Sequence, residues 1–414
     1  MAGYDSAVTP PDIFIVSAAR TPIGRYGGAL RTVHAAELGA VAARAALTRA
    51  RVPPDAIDLV VIGHARQAGS GPNPARQVGR RTGLPDAVPA WTMNQACASG
   101  MQAIAAAAQS LMLGDGRIAL AGGMESMSRM PYLLEADDAR WGHRMGHFPF
   151  VDAMYRDGLQ CSLCGLVMGE TVERLAREYR ITREASDAYA CESQRRASAA
   201  IAAGRFVEEI APVDLPADGG RPARRVAEDE HPRPGTTFAG LAALPPVFDA
   251  AEGGAGIVTA GSSSGITDGG AALVLATGEA VRSDGLDPLA RIVAWTTTGV
   301  APERMGIGPV PAVRRLLERT GLALDAFELV ELNEAFAAQV LAVQAELSFA
   351  ADRLNVNGGA IALGHPIGCT GTRIVVTLLH EMRRRRAARG LATLCVSGGL
   401  GMARAVELVS GASG

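Results

Sequence analysis

The sequence predicts an α/β protein with two or three hydrophobic cores. Its 414 residues exceed the length at which one core usually stops growing. Two short apolar runs, "IFIVSAAR" at 13–20 and "IDLVVIG" at 57–63, are typical of buried strands, and apolar positions at helical spacing over 35–50 predict a helix between them. Strand, helix and strand in this order favour a covered sheet that is at least partly parallel.

The second half of the chain repeats the order of elements in the first half, which indicates an internal duplication into two βαβ-rich halves. The helix predicted over 95–114 is apolar nearly all round, so we expect it to be buried. The corresponding pairs of segments are 13–20 with 290–299, 54–67 with 324–339, the segment beginning near Cys97 with 365–382, and 117–125 with 391–401.

Residues from about 125 to 255 form an insertion of different composition. They are richer in charge, proline, glycine and aspartate, and they contain two amphipathic helices that meet near "RIT" at 180–182. A long polar stretch follows at 216–235. We expect the insertion to lie over one face of the first half and to bind a ligand or cover a site.

Composition argues against several classes of function. The net charge of −2 offers no electrostatic footprint for nucleic acid. The chain has no lysine, which removes Schiff-base chemistry and the phosphate-binding lysine of P-loops. No apolar run reaches the roughly 18 residues of a membrane span, and "MAGYDSAVTPPD" at the N-terminus lacks the features of a signal peptide. Six cysteines do not make a disulfide framework, so we expect a cytoplasmic protein that does not bind a membrane.

Cys97, in "NQACASG" at 94–100, is a candidate nucleophile. It stands between a predicted strand and a buried helix, where the unpaired N–H groups of the helix start stabilise a thiolate and lower the pKa. The small residues around it leave room for a substrate. Local reasoning does not separate this interpretation from that of a small buried hydrophobic residue.

Three residues in glycine-rich contexts are candidates for the same site. His365, in "GGAIALGHPIGCTG", suits a general base that activates a thiol, although a structural histidine is the alternative. Cys395 leads into "SGGLG", where backbone N–H groups can converge on an anion, and its alternative role is a buried strand residue. Cys369 lies near a helix start and is a rival nucleophile.

Two short motifs carry weaker signals. In "NEAF" at 333–336, the amide of Asn333 can hold an oxyanion or a water, and Glu334 can orient a neighbour. Cys161 and Cys164 form a C-x-x-C pair. No second pair follows to complete a zinc site, and the context differs from a thioredoxin-like motif, so we predict a structural role for both thiols.

Taken in order, the motifs resemble those of the thiolase family, and the resemblance runs from Ile13 to Leu408. It is carried by "AARTPIG" at 18–24, "NPARQ" at 73–77, "NQACASG", "AGGMESMS" at 121–128, "TAGSSSGITDGGAA" at 259–272, "NEAF", "GGAIALGHPIG" and "CVSGGLG" at 395–401.

The resemblance implies a layered α-β-α-β-α core made of duplicated halves, with an inserted loop domain. The expected N-terminal domain spans 12–278, including the insertion at about 125–256, and the C-terminal domain spans 286–410.

The implied activity is that of an acetyl-CoA C-acetyltransferase, which condenses acetyl-CoA or cleaves acetoacetyl-CoA by way of an acyl-cysteine. The alternative is a degradative 3-ketoacyl-CoA thiolase of β-oxidation with longer substrates.

The resemblance also assigns roles to individual residues. Cys97 is the acylated nucleophile, His365 is its activating base, and Cys395 handles the proton of the α-carbon or of the coenzyme A thiol. Cys369 matches no catalytic position of the family. One oxyanion hole would use His365 with a water held by Asn333.

The second oxyanion hole would use the backbone N–H groups of Cys97 and Ser397. Arg233 is the expected contact for the nucleotide phosphates of coenzyme A, Ser264 faces the pantetheine arm, and Met168 and Phe336 line the acyl pocket. The resemblance implies no metal and no permanently bound cofactor, with coenzyme A as cosubstrate, acyl-CoA thioesters as partners and a homodimer or homotetramer.

Four departures from the family's pattern leave the chemistry intact and the acyl-chain preference open. Val167 stands where short-chain members often have histidine before Met168, "GSSSG" at 261–265 replaces Gly-Asn-Ala-Ser-Gly, and Ser397 replaces a frequent glycine. The stretch "AAEGGAG" at 250–256 is a few residues longer than usual.

Other functions are disfavoured on particular residues. Condensing enzymes of fatty-acid or polyketide synthesis pair their cysteine with two histidines, whereas this chain has Asn333 and Cys395. A non-catalytic acyl-CoA-binding scaffold would not need Cys97, His365 and Cys395 together. If Cys97 and Cys395 share one substrate they lie close together, and oxidation can join them where the geometry permits.

Overall fold

The computed structural model of the protein describes residues 11–217, 222–248 and 256–409. The segment 1–10, which carries most of the signal-peptide prediction, and the predicted domain limit at 410 lie outside these residues. The strands are β1 (Ile13–Arg20), β2 (Gly24–Arg25), β3 (Leu59–Gly63), β4 (Ala90–Met93), β5 (Ile118–Ser126), β6 (Tyr132–Leu133), β7 (Val151–Asp152), β8 (Val213–Leu215), β9 (Arg224–Val226), β10 (Thr267–Thr277), β11 (Ala290–Gly299), β12 (Leu329–Leu332), β13 (Arg389–Val396) and β14 (Leu400–Leu408).

The helices follow the same chain order. They are α1 (Ala35–Ala50), α2 (Pro74–Thr82), α3 (Ser99–Leu113), α4 (Ala136–Ala139), α5 (Met168–Glu178), α6 (Arg183–Ala202), α7 (Phe238–Ala242), α8 (Gly278–Ser283), α9 (Pro309–Thr320), α10 (Ala337–Leu347), α11 (Ala360–Leu363) and α12 (Ile367–Arg385).

The main strands join into one mixed sheet in the order β4-β3-β5-β10-β1-β11-β14-β13-β12, with β2 paired to β10. β3 runs parallel to β4 and β5, and β12 runs parallel to β13. The halves meet through two residue pairs, Phe14 with Arg291 and Ile15 with Ala290. The neighbours β3-β5-β10-β1 recur as β12-β13-β14-β11, so the predicted duplication is confirmed.

Helices cover both faces of the two half-sheets. α1 and α2 pack on the outer face of the first half, and α9 packs on the outer face of the second. α3 and α12 pack against each other between the halves, in a core cluster to which strands of both contribute. This arrangement is the α-β-α-β-α layering that the family resemblance implies.

The inserted segment covers parts of both halves, whereas the sequence predicted a cover over the first half. Its two amphipathic helices are present as α5 and α6, but they pack against α10 and α11 of the second half. Parts of the insertion also reach the first half: Val213 of β8 packs with Leu30 and with Leu38 of α1, and Ala197 and Ala200 of α6 share a hydrophobic cluster with Ile23. The insertion therefore contacts the first half, as expected, but its helices also cover part of the second half, which the sequence did not indicate. An amphipathic pattern reveals which face is buried but not which surface buries it.

Among the described residues, Ala96–Leu113 is the one helical segment long and apolar enough to cross a membrane. In the structure this segment contributes α3, which packs against β3, β5 and α12. Its apolar surface is accordingly used in the core between the two halves, as the sequence predicts.

The beginnings of α3 and α12 touch at the level of their backbones. A Cβ atom on Gly100 would lie 2.5 Å from Thr372 Oγ1, 2.9 Å from Thr372 N and 3.0 Å from Gly368 O. Real Cβ atoms do not approach these groups so closely, so this crossing requires glycine. Cys97 lies just before α3 and His365 just before α12, and the contact therefore brings the two together.

We expect Gly100→Ala to destabilise the protein by about 1–3 kcal/mol, because the methyl group forces α3 and α12 apart. Thermal unfolding followed by circular dichroism measures the effect. The control is Gly79→Ala in α2, where the new Cβ meets Val60 Cγ2 at an ordinary 3.7 Å. Because alanine also favours the helix, this variant should be as stable as the unmodified protein or more stable. Equal melting temperatures for the two variants would contradict the steric argument.

Candidate active site

A cavity of about 300 Å³ lies where the two halves and the insertion meet. Seven residues to which the sequence analysis gave a role in the site line it, and they come from all three parts of the chain. They are Cys97, Met168, Ser264, Phe336, His365, Cys395 and Ser397.

Cys97 stands in the single turn Ala96–Ala98 that precedes α3. The turn is tight: Ala96 has a φ of 45°, a left-handed conformation that is uncommon for a residue with a side chain. Ser99 Oγ stabilises it by accepting from Gln95 N at 2.9 Å and donating to Ala96 O at 2.7 Å. The turn presents the half-buried Cys97 to the cavity.

The expected lowering of the pKa of Cys97 by the helix start is not what the structure indicates. Desolvation by the surrounding protein raises the pKa of Cys97, although the backbone amide of Ser397 and the guanidinium of Arg66 act in the opposite direction. The cost of burying a thiolate outweighs the favourable dipoles. Cys97 is thus a thiol at rest and needs a base.

His365 has the geometry of that base. Its Nδ1 lies 2.6 Å from Thr370 Oγ1, and Thr370 Oγ1 donates to Pro366 O at 2.9 Å. Because the hydroxyl proton is used in that bond, the network assigns the ring proton to Nδ1 and leaves Nε2 as a proton acceptor. Burial, with the charges of Arg373 and Arg66, lowers the pKa of His365 to about 3. The imidazole is therefore neutral at physiological pH.

The two other candidate cysteines, Cys395 and Cys369, lie in different environments, and one of them lines the cavity. Cys395, near the end of β13, lines the cavity, and burial together with the neighbouring Cys97 raises its pKa. Cys369 lies in the first turn of α12 with its side chain in the core between the halves, and burial raises its pKa to about 12. The structure thus brings Cys395 to Cys97 and keeps Cys369 out of the cavity lining.

Asn333 follows the end of β12 and is fully buried. Its backbone N–H donates to Thr393 O at 3.0 Å, which places it beside the strand that carries Cys395. Within the described residues its side-chain amide has no hydrogen-bond partner, and it is not among the residues that line the cavity. A buried amide without a partner is suited to hold a water.

Glu334 orients neighbours, as the sequence suggests. Its buried carboxylate accepts from Tyr189 Oη at 2.9 Å, Ser193 Oγ at 2.7 Å, Asn355 Nδ2 at 3.1 Å and Ile361 N at 3.2 Å. These contacts tie α6 of the insertion to α11, just before His365.

The loop around Ser264 holds three motifs together through its backbone. Ser264 N donates to Ala335 O at 3.0 Å, and Ser262 O accepts from Ala337 N at 2.9 Å. Gly265 O accepts from His365 N at 2.9 Å. "GSSSG", "NEAF" and the histidine loop therefore form one wall of the cavity.

Arg233 lies outside this cavity, on a second cavity of about 250 Å³. The two cavities are neighbours, because Ala260 lines both. The backbone N–H of Arg233 donates to Gln194 Oε1 at 2.9 Å, which anchors the loop while the side chain remains exposed.

Sequence reasoning missed Glu125, a buried carboxylate at the end of β5. It accepts from Ala65 N and Arg66 N at 3.3 Å each and from Gly368 N at 2.9 Å, and it lies 3.0 Å from His64 Nε2. It therefore links the loop after β3 to the first turn of α12. A charged residue in the otherwise apolar strand "IALAGGMES" was the available signal.

Much of the remaining cavity wall was also missed. It is apolar, and it includes Met127, Leu159, Phe248, Met305 and Ile367. Residues of these types are common in any core, so their sequence context carries no signal for a ligand. No group of three or more His, Cys, Asp or Glu residues suited to hold a metal ion occurs within the described ranges.

Family models and known proteins match nearly the whole chain. The model "Thiolase, N-terminal domain" matches residues 13–279 and "Thiolase, C-terminal domain" matches 286–408. An acetyl-CoA acetyltransferase of Cupriavidus necator is 49% identical over 396 residues, which cover 96% of this chain and 99% of the relative.

Solved structures give the same result. The crystal structure of the Bacillus anthracis acetyl-CoA acetyltransferase has a TM-score of 0.92 at 43% identity, and the match covers 96% of this chain and 99% of that one. Human mitochondrial 3-ketoacyl-CoA thiolase in complex with CoA has a TM-score of 0.91 at 41% identity, with 96% and 98% of the two chains covered. With both family models matched and the relatives similar over almost their full lengths, the chain belongs to the thiolase family.

Proposed function

We propose that the protein is an acetyl-CoA C-acetyltransferase that condenses two acetyl-CoA molecules to acetoacetyl-CoA and coenzyme A, and catalyses the reverse thiolysis. The observation that carries the proposal is the meeting of Cys97, His365 and Cys395 at one cavity, although the first comes from one half of the chain and the others from the second. The names of the relatives, acetyl-CoA acetyltransferases at 48–49% identity, support the choice of substrate.

In thiolysis, the reaction begins with a neutral thiol and a neutral imidazole. Nε2 of His365 removes the proton of Cys97 as the sulfur attacks the ketone carbon of acetoacetyl-CoA. The bond between C2 and C3 then breaks, and the leaving enolate of acetyl-CoA takes a proton at C2 from the Cys395 thiol. The raised pKa of Cys395 suits this step because it keeps the thiol protonated until the carbanion forms.

The second half-reaction releases the acyl group. The thiolate left at Cys395 removes the proton of a coenzyme A thiol, whose sulfur attacks the acetyl-Cys97 carbonyl and forms the second acetyl-CoA. The C–S bond to Cys97 breaks, and the leaving Cys97 thiolate takes back the proton held on His365 Nε2, which restores the neutral thiol and imidazole. The backbone amides at Cys97 and Ser397 would stabilise one oxyanion, and His365 with a water on Asn333 would stabilise the other. Condensation is the same sequence in reverse.

The second cavity is the proposed site for the coenzyme A tail. The pantetheine arm would pass Ser264 and Ala260, and the exposed guanidinium of Arg233 would meet the phosphates. The CoA complex of human mitochondrial 3-ketoacyl-CoA thiolase, a protein of the same fold, supports coenzyme A as the cosubstrate. The acyl group would occupy the apolar part of the first cavity, against Met168 and Phe336.

We also propose the division of the chain into an N-terminal domain at 12–278, with the loop insertion at about 125–256, and a C-terminal domain at 286–410. The repeated strand order of the two halves supports this division. A homodimer or homotetramer stays our prediction.

Glu125 is proposed as a positioning residue for this reaction. Its carboxylate receives backbone N–H groups from both halves of the molecule, at Ala65 and Arg66 on one side and at Gly368 on the other. Gly368 is three residues after His365, so the same carboxylate holds the base in register with the cavity wall of the first half.

Mixing the protein with acetyl-CoA should acetylate Cys97, and intact-protein mass spectrometry followed by peptide mapping detects the adduct. Cys97→Ala should form no adduct and lose turnover. Cys369→Ala is the matched control: it removes a thiol that does not line the cavity, so it should acetylate normally. An adduct on Cys369, or none in the unmodified protein, would refute the proposal.

The acylation rate should be independent of pH between about pH 5 and pH 8, because His365 stays neutral with a pKa of about 3 and Cys97 stays protonated. Stability should behave differently. The unfolded chain protonates His365 at its ordinary pKa of 6.5, so His365 contributes a loss of stability as the pH falls from 6.5 towards 3. Stopped-flow acylation and thermal unfolding measure the two effects, and an acid limb in the rate near pH 6.5 would disprove the first.

Glu125→Gln should lower kcat by about 10- to 100-fold with little change in KM for the acyl-CoA, because the base shifts relative to the nucleophile while the substrate pocket remains. The amide nitrogen would face backbone donors, and stability should fall by about 1–3 kcal/mol. Steady-state kinetics with acetoacetyl-CoA measures the effects on kcat and on KM separately. The control, Glu37→Gln, removes solvent-accessible ion pairs with Arg44 and Arg81 and should change neither quantity. An unchanged kcat in Glu125→Gln would remove the positioning role.

A degradative 3-ketoacyl-CoA thiolase is the second candidate. The apolar cavity and the likeness to the human mitochondrial enzyme favour it to a lesser degree. Thiolysis of acetoacetyl-CoA and of a longer 3-ketoacyl-CoA separates the two, and we expect the higher kcat/KM with acetoacetyl-CoA. A flat or inverted preference would favour the second candidate.

A further inference from the structure

The C-x-x-C pair lies in a tight surface turn next to the catalytic cavity. Gly165 N donates to Cys161 O at 2.8 Å, and Cys161 N donates to Leu166 O at 2.8 Å, which closes the turn. Within it the thiols of Cys161 and Cys164 are near enough to affect each other's pKa. Cys161 is buried and Cys164 is half-buried, whereas Leu163 between them is 71% exposed. Two free thiols three residues apart in one closed turn have the arrangement of a dithiol pair.

The surroundings make the two thiols unequal. Burial opposes ionisation of Cys161, but the backbone amides of Cys164, Leu163 and Gly398 face its sulfur and lower the pKa of Cys161 below its ordinary value. Burial and the neighbouring Cys161 raise the pKa of Cys164. Thiol–disulfide exchange begins at the thiol that ionises more easily, here Cys161, and a second thiol nearby completes it.

The C-x-x-C turn and Cys97 contact neighbouring backbone amides of the same loop. The backbone N–H of Gly398 faces the sulfur of Cys161, and that of the preceding residue, Ser397, faces the sulfur of Cys97. A change in the charge or position of the Cys161 sulfur therefore acts on the same short loop that stabilises the Cys97 thiolate.

The chain on either side of the turn also reaches the cavity. Gly158 and Leu159 precede the turn and line the cavity, and Val167 and Met168 follow it and line the cavity too. Gln160 and Val167 pair across the base of the turn. A disulfide inside the turn would therefore shift both of the cavity-lining segments that flank it.

We propose that Cys161 and Cys164 form a reversible disulfide by exchange with a low-molecular-weight disulfide, and that this disulfide lowers the reactivity of Cys97. Formation of the disulfide does not depend on the proposed function, whereas its effect on Cys97 rests on the proposed role of Cys97 as the nucleophile.

The exchange balances as follows. The Cys161 thiolate attacks one sulfur of the small disulfide, forms a mixed disulfide and expels one small thiolate. That thiolate takes the proton of Cys164. The Cys164 sulfur then attacks Cys161, forms the internal disulfide and expels the second small thiolate, which takes from water the proton that Cys161 released on ionising. The two cysteines lose two electrons in total, and the small disulfide is reduced to two thiols.

The test equilibrates the full-length protein in glutathione buffers from reduced to oxidised, blocks free thiols with an alkylating agent and maps peptides by mass spectrometry. As the buffer becomes more oxidising, the peptide that contains Cys161 and Cys164 should change from doubly alkylated to unalkylated. The unalkylated peptide should be lighter by two hydrogen atoms than the same peptide would be with two free thiols. In Cys164→Ser, Cys161 should instead retain glutathione as a mixed disulfide. Cys191→Ser, which removes a half-buried cysteine outside the turn, should leave the transition unchanged.

The second measurement is the rate at which iodoacetamide alkylates Cys97 in the two redox states. We expect a rate about 2- to 10-fold lower after oxidation, the size of effect that one weakened hydrogen bond produces. Cys164→Ser kept reduced should alkylate at the rate of the reduced protein.

Full alkylation of Cys161 and Cys164 under all buffers, or a disulfide of Cys97 with Cys395 in their place, would overturn the proposal. Equal Cys97 rates in both states would overturn its second part. A normal redox transition in a protein that acetyl-CoA does not acetylate would count against the proposed function alone.

Discussion

The close backbone contact between α3 and α12 is the constraint on which the site depends. Each helix begins one short segment after a reactive residue, Cys97 in one case and His365 in the other. At Gly100 a side chain would collide with the backbone of the opposite helix. Because a thiol needs its base within hydrogen-bond reach, a displacement of an ångström at this crossing affects the chemistry more than it affects the fold.

Burial then decides the resting charges of the reactive groups. It raises the pKa of Cys97 and of Cys395 and lowers that of His365, so all three are neutral before substrate binds. In the proposed reaction charge would develop at the Cys97 sulfur, which the backbone amide of Ser397 already faces. Such preorganised donors cost no rearrangement at the moment of reaction.

Much of the molecule was predictable because the signals are local. Strand and helix periodicity identified the duplicated halves, and the placement of Cys97, His365, Cys395, Ser264 and Phe336 at one cavity follows the family's motifs. Three features were not predictable in this way. The pKa of Cys97 depends on how much protein surrounds the sulfur. The helices of the insertion pack on the second half. Glu125 accepts a hydrogen bond from Gly368, which lies 243 residues away along the chain.

The sequence by itself determined the α/β class, the repeated order of elements and the residue types available for thioester chemistry, because periodicity and short motifs depend on neighbours along the chain. Only the tertiary structure decided the protonation states, the apolar wall and the contact between the C-x-x-C turn and the loop at Ser397. These properties depend on desolvation and on distances between groups remote in sequence, and both arise when the two halves and the insertion close around one cavity.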